Sequence, residues 1–217
     1  MTDVVATKPA LRGWIHAAAT PVALIGALWL MLAASSGGAE RAAVGAFGAS
    51  LVGLYGISAL YHVPRWSAGV RYVLSRFDVA MIPLFIAGTF TPVAFFSLNG
   101  GWRVWSIALA WGVAVVGSAI AASPLRAPRW VGAAGYIAVG WLTVVPITQF
   151  VHALPWEGIG LIALGGLLYT LGAVIYARRW PNPVPHIFGF HEVFHLFVVA
   201  ASVCHYLAIW QYVLPGG

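Results

Sequence analysis

The sequence predicts an all-α membrane protein, a seven-transmembrane-helix bundle, and three observations carry this prediction. Of the 217 residues, 61% are hydrophobic and only 7% are charged, whereas a soluble domain carries about a quarter charged residues. Charged and turn-forming residues divide the chain into seven apolar segments, each long enough to cross a hydrocarbon layer of about 30 Å as a helix. The connections are short, so we expect a single integral membrane domain over residues 1–217.

The first expected helix follows two basic residues, Lys8 and Arg12. Its apolar run is roughly 20 residues long, above the range of about 7–15 for a signal-peptide core. We therefore expect an uncleaved helix rather than a leader. The seven expected helices span residues 14–35, 41–62, 77–98, 102–122, 130–151, 157–177 and 188–214.

Turn-forming residues mark the boundaries of the later helices. The second helix ends just before Pro64, and the third begins after Arg76. Gly, Asn and Pro clusters separate other segments, at residues 36–38, 99–101, 124–128 and 181–185. Proline also falls inside segments, where it is expected to kink or open the helix; these positions are Pro21, Pro83, Pro92 and Pro146.

The distribution of Lys and Arg predicts the orientation in the membrane. Only Arg41 and Arg103 lie on one side of the expected bundle. The other nine lie on the N-terminal segment and on the second, fourth and sixth loops: Lys8, Arg12, Arg65, Arg71, Arg76, Arg126, Arg129, Arg178 and Arg179. Because cytoplasmic loops carry the excess of basic residues, we expect a cytoplasmic N-terminus and an outside C-terminus. Charges that flank spans in this way also exclude a nucleic-acid-binding function.

Four ionisable residues are expected to meet near the cytoplasmic face. His62 ends the second helix, Asp78 opens the third, and His191 and His195 lie in the first turns of the seventh. With the predicted orientation, all four fall at a similar depth. Ionisable groups at such depth are costly, and each is a candidate functional residue.

The three histidines predict a metal site. His191 and His195 are four residues apart, so both imidazoles face one side of a helix and can bind one ion, and His62 would be the third ligand. Zinc accepts three nitrogen ligands and keeps a fourth position open in catalytic sites. Asp78, and Ser58 one turn before His62, would then stand beside the open position. The single cysteine, Cys204, excludes a cysteine-based zinc site.

The remaining ionisable residues have simpler interpretations. His191-Glu192-Val193-Phe194-His195 fits H-E-x-x-H, in which Glu192 would be the general base of an intramembrane metalloprotease, but a carboxylate in a first helical turn is also favoured by the helix dipole. His205 lies ten residues after His195, too far to bind the same ion, and is expected to hydrogen-bond between helices. Interfacial positions are expected for the other histidines, His16, His152 and His186.

At these residues the sequence resembles the hemolysin III branch of the progestin and adipoQ receptor (PAQR) family, which includes the adiponectin receptors. The motifs are Ser58-Ala59-Leu60-Tyr61-His62, Arg76-Phe77-Asp78, Gly88-Thr89-Phe90-Thr91-Pro92, His191-Glu192-Val193-Phe194-His195 and Cys204-His205-Tyr206. The resemblance implies a seven-helix fold and zinc bound by His62, His191 and His195, with Asp78 and Ser58 around the metal. The adiponectin receptors and the related alkaline ceramidases hydrolyse the amide bond of ceramides.

The sequence therefore leads to one principal hypothesis and two alternatives. The principal one is a zinc-dependent, ceramidase-like hydrolase of a lipid acyl amide or ester, in a bacterial cytoplasmic (inner) membrane. Asp78 would accept or relay the proton. The first alternative is a non-catalytic sensor of the membrane state, or a receptor-like protein, with structural zinc. The second is a pore-forming haemolysin, although the helices are constitutively apolar.

Overall fold

The computed structural model describes residues 8–34, 37–125 and 128–214, and its regular elements in these ranges are helices. They are α1 (Trp14–Ala33), α2 (Gly38–His62), α3 (Ala68–Ser97), α4 (Gly100–Ala122), α5 (Arg129–Leu142), α6 (Ile147–Ala153), α7 (Trp156–Arg178) and α8 (Phe190–Ala208), which continues as a π-helical turn (Ile209–Val213). Two features of the expected layout, the end of the first helix at residue 35 and Arg126, lie outside the described residues.

The helices confirm a multi-pass integral membrane protein. Six of them, in the described part of the chain, are long and apolar enough to cross a membrane, and the pair α5 and α6 makes a seventh span if it is counted as one. The two helices of this pair meet at a bend of 52°. Pro146 directly precedes α6, and its missing N–H cannot continue the hydrogen-bond ladder. The break expected there is present, whereas α1 and α3 continue through Pro21, Pro83 and Pro92.

The expected start of the third helix at residue 77 was wrong, because α3 begins at Ala68. Arg71 and Arg76 had suggested a loop, but both lie on the helix. The guanidinium of Arg71 lies over the ring of Tyr61, and that of Arg76 lies over Tyr72. Long basic side chains can keep their charge near water while the backbone stays helical. Asp78 therefore lies about three turns inside α3 and does not open the helix.

Neighbouring helices approach closely at small residues. A Cβ at Gly48 of α2 would come within 2.6 Å of Ala27 of α1, and one at Gly172 of α7 would meet Phe197 of α8 at 3.0 Å. Close backbone approach at small residues is the usual mode of helix packing in membranes. α3 packs against α2, α4 and α5. The end of α2 lies close to the start of α8 and to Asp78 of α3.

Candidate metal centre

Three histidines converge at one end of the bundle. His62 is the last residue of α2, and His191 and His195 are the second and sixth residues of α8. One ring nitrogen of each lies within 4.8 Å of the others. The ring centroids of His191 and His195 are 4.6 Å apart, and that of His62 lies 4.7 Å from His191 and 5.6 Å from His195. The structure thus brings together the three residues that were predicted from the sequence to be metal ligands.

The imidazole nitrogens at this point have no protein partner. Nε2 of His62, Nε2 of His191 and Nδ1 of His195 are buried, and none has a hydrogen-bond partner among the described residues. An unsatisfied buried polar group costs about 1–3 kcal/mol, so three of them in one place call for a shared partner. A cation bound by all three nitrogens satisfies them together. The donor set therefore fits a metal ion of the kind that binds imidazole.

Asp78 and Ser58 lie on the helices that carry or adjoin this cluster. Oδ2 of Asp78 is 3.6 Å from Nε2 of His62, and the Asp78 side chain keeps 18% of its surface exposed. Ser58 is buried, and it precedes His62 by four residues in α2. Residues four apart share a helix face. Among the described residues, Asp78 is thus the acidic group that lies beside the histidines with part of its surface free.

Glu192 has a different role from the one that an H-E-x-x-H motif suggests. It is fully buried. One carboxylate oxygen accepts a hydrogen bond from the guanidinium of Arg12, and the other accepts the backbone N–H of Gly189 at 2.7 Å. The second contact caps the start of α8, where N–H groups lack helical partners. Because both carboxylate oxygens already accept hydrogen bonds, from Arg12 and from the backbone of Gly189, the geometry does not favour Glu192 as a general base.

His16 belongs to the interior, so the expectation of an interfacial position was wrong. Its ring is only 3% exposed and stacks on His195, with centroids 3.8 Å apart and planes 5° from parallel. Its other face is near Tyr55, at 4.8 Å between centroids. The sequence did carry a signal, since His16 is an ionisable residue inside an apolar segment, as the other candidate residues are.

His205 lies away from the cluster, as its spacing predicted, but its hydrogen bond is not interhelical. Nδ1 of His205 is 3.0 Å from the carbonyl oxygen of Ala201 in the same helix. Its ring packs where Gly165 of α7 has no side chain and lies 5.5 Å from the ring of Tyr169. The other two histidines, His152 and His186, are exposed.

The chain is similar to known proteins along most of its length. A family model described as "Haemolysin-III related" matches residues 4–206. "Hemolysin-3" of Bacillus cereus is 32% identical over 192 residues, which cover 86% of this chain and 83% of the relative. The human "Monocyte to macrophage differentiation factor" is 24% identical over 183 residues, 80% of this chain and 71% of the relative. The "Adiponectin receptor protein" of Drosophila melanogaster is 28% identical over 194 residues, 78% of this chain and 42% of the relative.

Proposed function

The chain belongs to the haemolysin III-related family, within the wider PAQR family, and on that premise we propose that it is a zinc-dependent hydrolase. Its substrate would be a membrane lipid with an acyl amide or ester bond. The observation that carries the proposal is the set of three buried, unpaired histidine nitrogens with a partly exposed carboxylate beside them.

His62, His191 and His195 would hold the ion. Three histidines leave one position of a tetrahedral zinc ion open, which is the arrangement of catalytic rather than fully closed structural sites. Zinc in such a site supplies polarisation of the scissile carbonyl and activation of water. The protein contributes the fixed position of the three rings, two of them on successive turns of α8.

Asp78 would move the proton. Its Oδ2 faces Nε2 of His62, so the carboxylate is next to the ligand cluster and can accept a proton from water there. The same group can then return the proton to the leaving amine or alcohol. The hydroxyl of Ser58, on the face of α2 that carries His62, would donate a hydrogen bond that orients the reacting groups.

The proposed substrate follows from the surroundings of the cluster. α8, which carries two of the histidines, and α1, which packs beside them, are apolar on their outer faces, as shown by the exposed Leu196 and Val203 of α8 and Val22 and Ile25 of α1. A substrate that reaches the site from the bilayer must itself dissolve in lipid. Long-chain N-acyl amides, including ceramides, and acyl esters meet this condition, and the resemblance to ceramide hydrolases favours the amide.

We also propose that the metal centre faces the cytoplasm. Contacts link four basic residues to the end of the bundle that holds the histidines: Lys8 and Arg12 bond to His62 and Glu192, Arg71 lies over Tyr61, and Arg129 lies over Tyr176. The excess of basic residues at this end favours the cytoplasmic side. Together with the Bacillus relatives, this favours a bacterial inner membrane.

A direct assay tests the proposal. Purified protein in lipid nanodiscs is incubated with N-acyl and O-acyl lipids, and released fatty acid is measured by mass spectrometry. We expect release by the zinc-loaded protein, loss of release after chelation, and recovery when zinc is added back. Absence of release from every acyl amide and ester tried, by protein that contains zinc in a 1:1 ratio as expected for one site, would refute hydrolysis.

A second candidate is a receptor-like sensor in which zinc joins α2 to α8 without turnover. The name of the Drosophila relative, "Adiponectin receptor protein", favours this candidate. It predicts zinc binding and a zinc-dependent rise in thermal stability, with no lipid product.

The name of the Bacillus cereus relative, "Hemolysin-3", favours a third candidate, membrane lysis. In this case purified protein would release dye from liposomes in the presence of a chelator as well as with zinc.

A further inference from the structure

Three residues spaced four apart, ahead of and within the start of α1, contact two of the proposed ligands and the residue that follows the third. Lys8 donates a hydrogen bond from Nζ to the backbone carbonyl of His62. Arg12 pairs with Glu192, the residue between the two α8 ligands that directly follows His191. His16 stacks on the ring of His195. None of the three is itself in the ligand cluster.

The Arg12–Glu192 pair fixes the first turn of α8. Glu192 is fully buried, and the Arg12 side chain is 18% exposed. A buried carboxylate needs a partner, because leaving it unpaired in a low-dielectric region is expensive. Since Glu192 also caps α8 through Gly189, the same side chain ties both the backbone of this turn and Arg12 to one place. His191 and His195 lie on that turn and the next.

The His16 ring limits the orientation of His195. Face-to-face contact at 3.8 Å, with planes 5° apart, leaves His195 little freedom to rotate about its own side-chain bonds. The direction of its ring nitrogens is set by this rotation. Outer partners of a metal-bound histidine normally act in this way, by fixing ring orientation.

The backbone of the segment is itself held against the site. Ala10 and Leu11 donate their N–H groups to the carbonyls of His186 and Ile187, at 3.0 and 3.1 Å, in the connection that leads into α8. Gly13 has φ +87°, and a Cβ there would overlap the Cβ of His62. The close approach to His62 therefore requires glycine at this point.

We propose that the segment from Lys8 to His16 is a positioning element of the metal centre, with Lys8, Arg12 and His16 acting on His62, on the start of α8 and on His195. This inference rests on the proposed metal site and assigns no ligand role to the segment. Changes in outer partners of metal ligands lower metal affinity by about 10- to 100-fold, and that range is expected here.

The first test uses the ion pair. Zinc affinity is measured by competition with a chromophoric chelator for the wild type, Arg12→Gln, Glu192→Gln and the double variant. We expect each single change to lower affinity by about 10- to 100-fold. The double variant is expected to lose no more than the worse single one, because the two side chains act as one unit. Arg12→Lys, which keeps the charge, is expected to recover part of the loss.

The second test separates ring stacking from mere packing. His16→Ala removes the ring, whereas His16→Phe keeps an aromatic face against His195. We expect His16→Ala to lower zinc affinity by about 10-fold or more and His16→Phe to stay within roughly threefold of the wild type. The absorption spectrum of the cobalt-loaded protein, which reports ligand geometry, should shift in His16→Ala and be recovered in His16→Phe. Lys8→Ala should act in the same direction but more weakly, since its ammonium is exposed to water.

Leu30→Ala is the matched control. Leu30 is fully buried on the same helix, fourteen residues beyond His16 and so about 21 Å along the axis. It should lower thermal stability and leave zinc affinity unchanged. Equal loss of affinity in Leu30→Ala would overturn the positioning role, and so would unchanged affinity in both Arg12→Gln and His16→Ala. If His16→Ala does not fold, the ion-pair series still decides. A wild-type chain that binds no zinc would refute the metal site itself, whereas zinc binding without lipid hydrolysis would leave this inference standing.

Discussion

Oδ2 of Asp78 lies 3.6 Å from Nε2 of His62, so α3 brings a carboxylate to the histidine that ends α2. The distance is longer than a hydrogen bond, and the side chain remains partly exposed. Asp78 therefore lies close to the proposed ligand cluster without a hydrogen bond to His62. A group in that position can exchange a proton with water or with a substrate.

The first prediction concerns this carboxylate. Asp78→Asn keeps the shape of the side chain and removes its ability to take up a proton at neutral pH. We expect zinc content to stay at the wild-type value and lipid hydrolysis to fall by about 10²- to 10⁴-fold, the usual contribution of a general base. Zinc is measured by elemental analysis and fatty-acid release by mass spectrometry. Full hydrolysis in the variant would remove Asp78 from the mechanism, and loss of zinc would make it a structural partner of His62.

The second prediction separates the α8 histidines. His195→Ala should abolish stoichiometric zinc binding, because two histidines of the cluster then remain. No other described His, Cys or carboxylate belongs to the cluster and could replace the lost ligand. His205→Ala is the matched control, since it removes a buried histidine from the same helix at about 15 Å from His195 along the axis. We expect it to retain zinc. Equal zinc content in the two variants would contradict the ligand assignment.

Part of this site could be predicted from the sequence, because spacing and depth are properties of the chain. The four-residue spacing of His191 and His195 places both on one helix face. Because successive apolar segments cross the membrane in opposite directions, the end of the second segment, with His62, falls on the same side as the start of the seventh. The expected seven segments likewise correspond to six long helices and the bent pair α5 and α6.

His16 could not be placed in the same way. Whether a histidine near the start of a span faces lipid headgroups or the bundle depends on the rotation of the helix. In α1 that rotation is tied to partners distant in sequence: Arg12 pairs with Glu192, and Ala10 bonds to His186. The start of α3 was missed for a related reason, because Arg71 and Arg76 resembled loop residues while their side chains lie over aromatic rings.

The third prediction concerns Ser58. Ser58→Ala removes a buried hydroxyl from the face of α2 that carries His62. Alanine has a higher helix propensity than serine, so the change does not weaken α2 through propensity. If the hydroxyl orients the reacting groups, hydrolysis should fall by about 5- to 30-fold, the equivalent of about 1–2 kcal/mol for one hydrogen bond. Ser50→Ala is the comparison, because Ser50 is buried two turns earlier on α2 and its hydroxyl donates a hydrogen bond to the carbonyl oxygen of Phe47 in the same helix. A similar loss in both variants would point to a general effect on α2.

The last prediction tests the close packing of α2 and α3, on which the position of Asp78 depends. A Cβ at Gly88 would meet the carbonyl oxygen of Ala46 and the Cβ of Ser50 at 2.8 Å. A backbone atom cannot move aside as a side chain can, so Gly88→Ala forces the two helices apart, and overpacking of this kind costs about 1–3 kcal/mol. We expect a lower thermal midpoint together with weaker zinc binding, since the end of α2 moves with the helix.

Gly112→Ala is the matched control for this change. Gly112 lies in α4 with no atom within 4 Å of the added Cβ, and alanine favours a helix over glycine by up to about 1 kcal/mol. Its thermal midpoint should equal or exceed that of the wild type, and its zinc affinity should be unchanged. If Gly88→Ala is as stable as Gly112→Ala, α2 and α3 are not in close contact at this point, and the placement of Asp78 beside His62 loses its structural support.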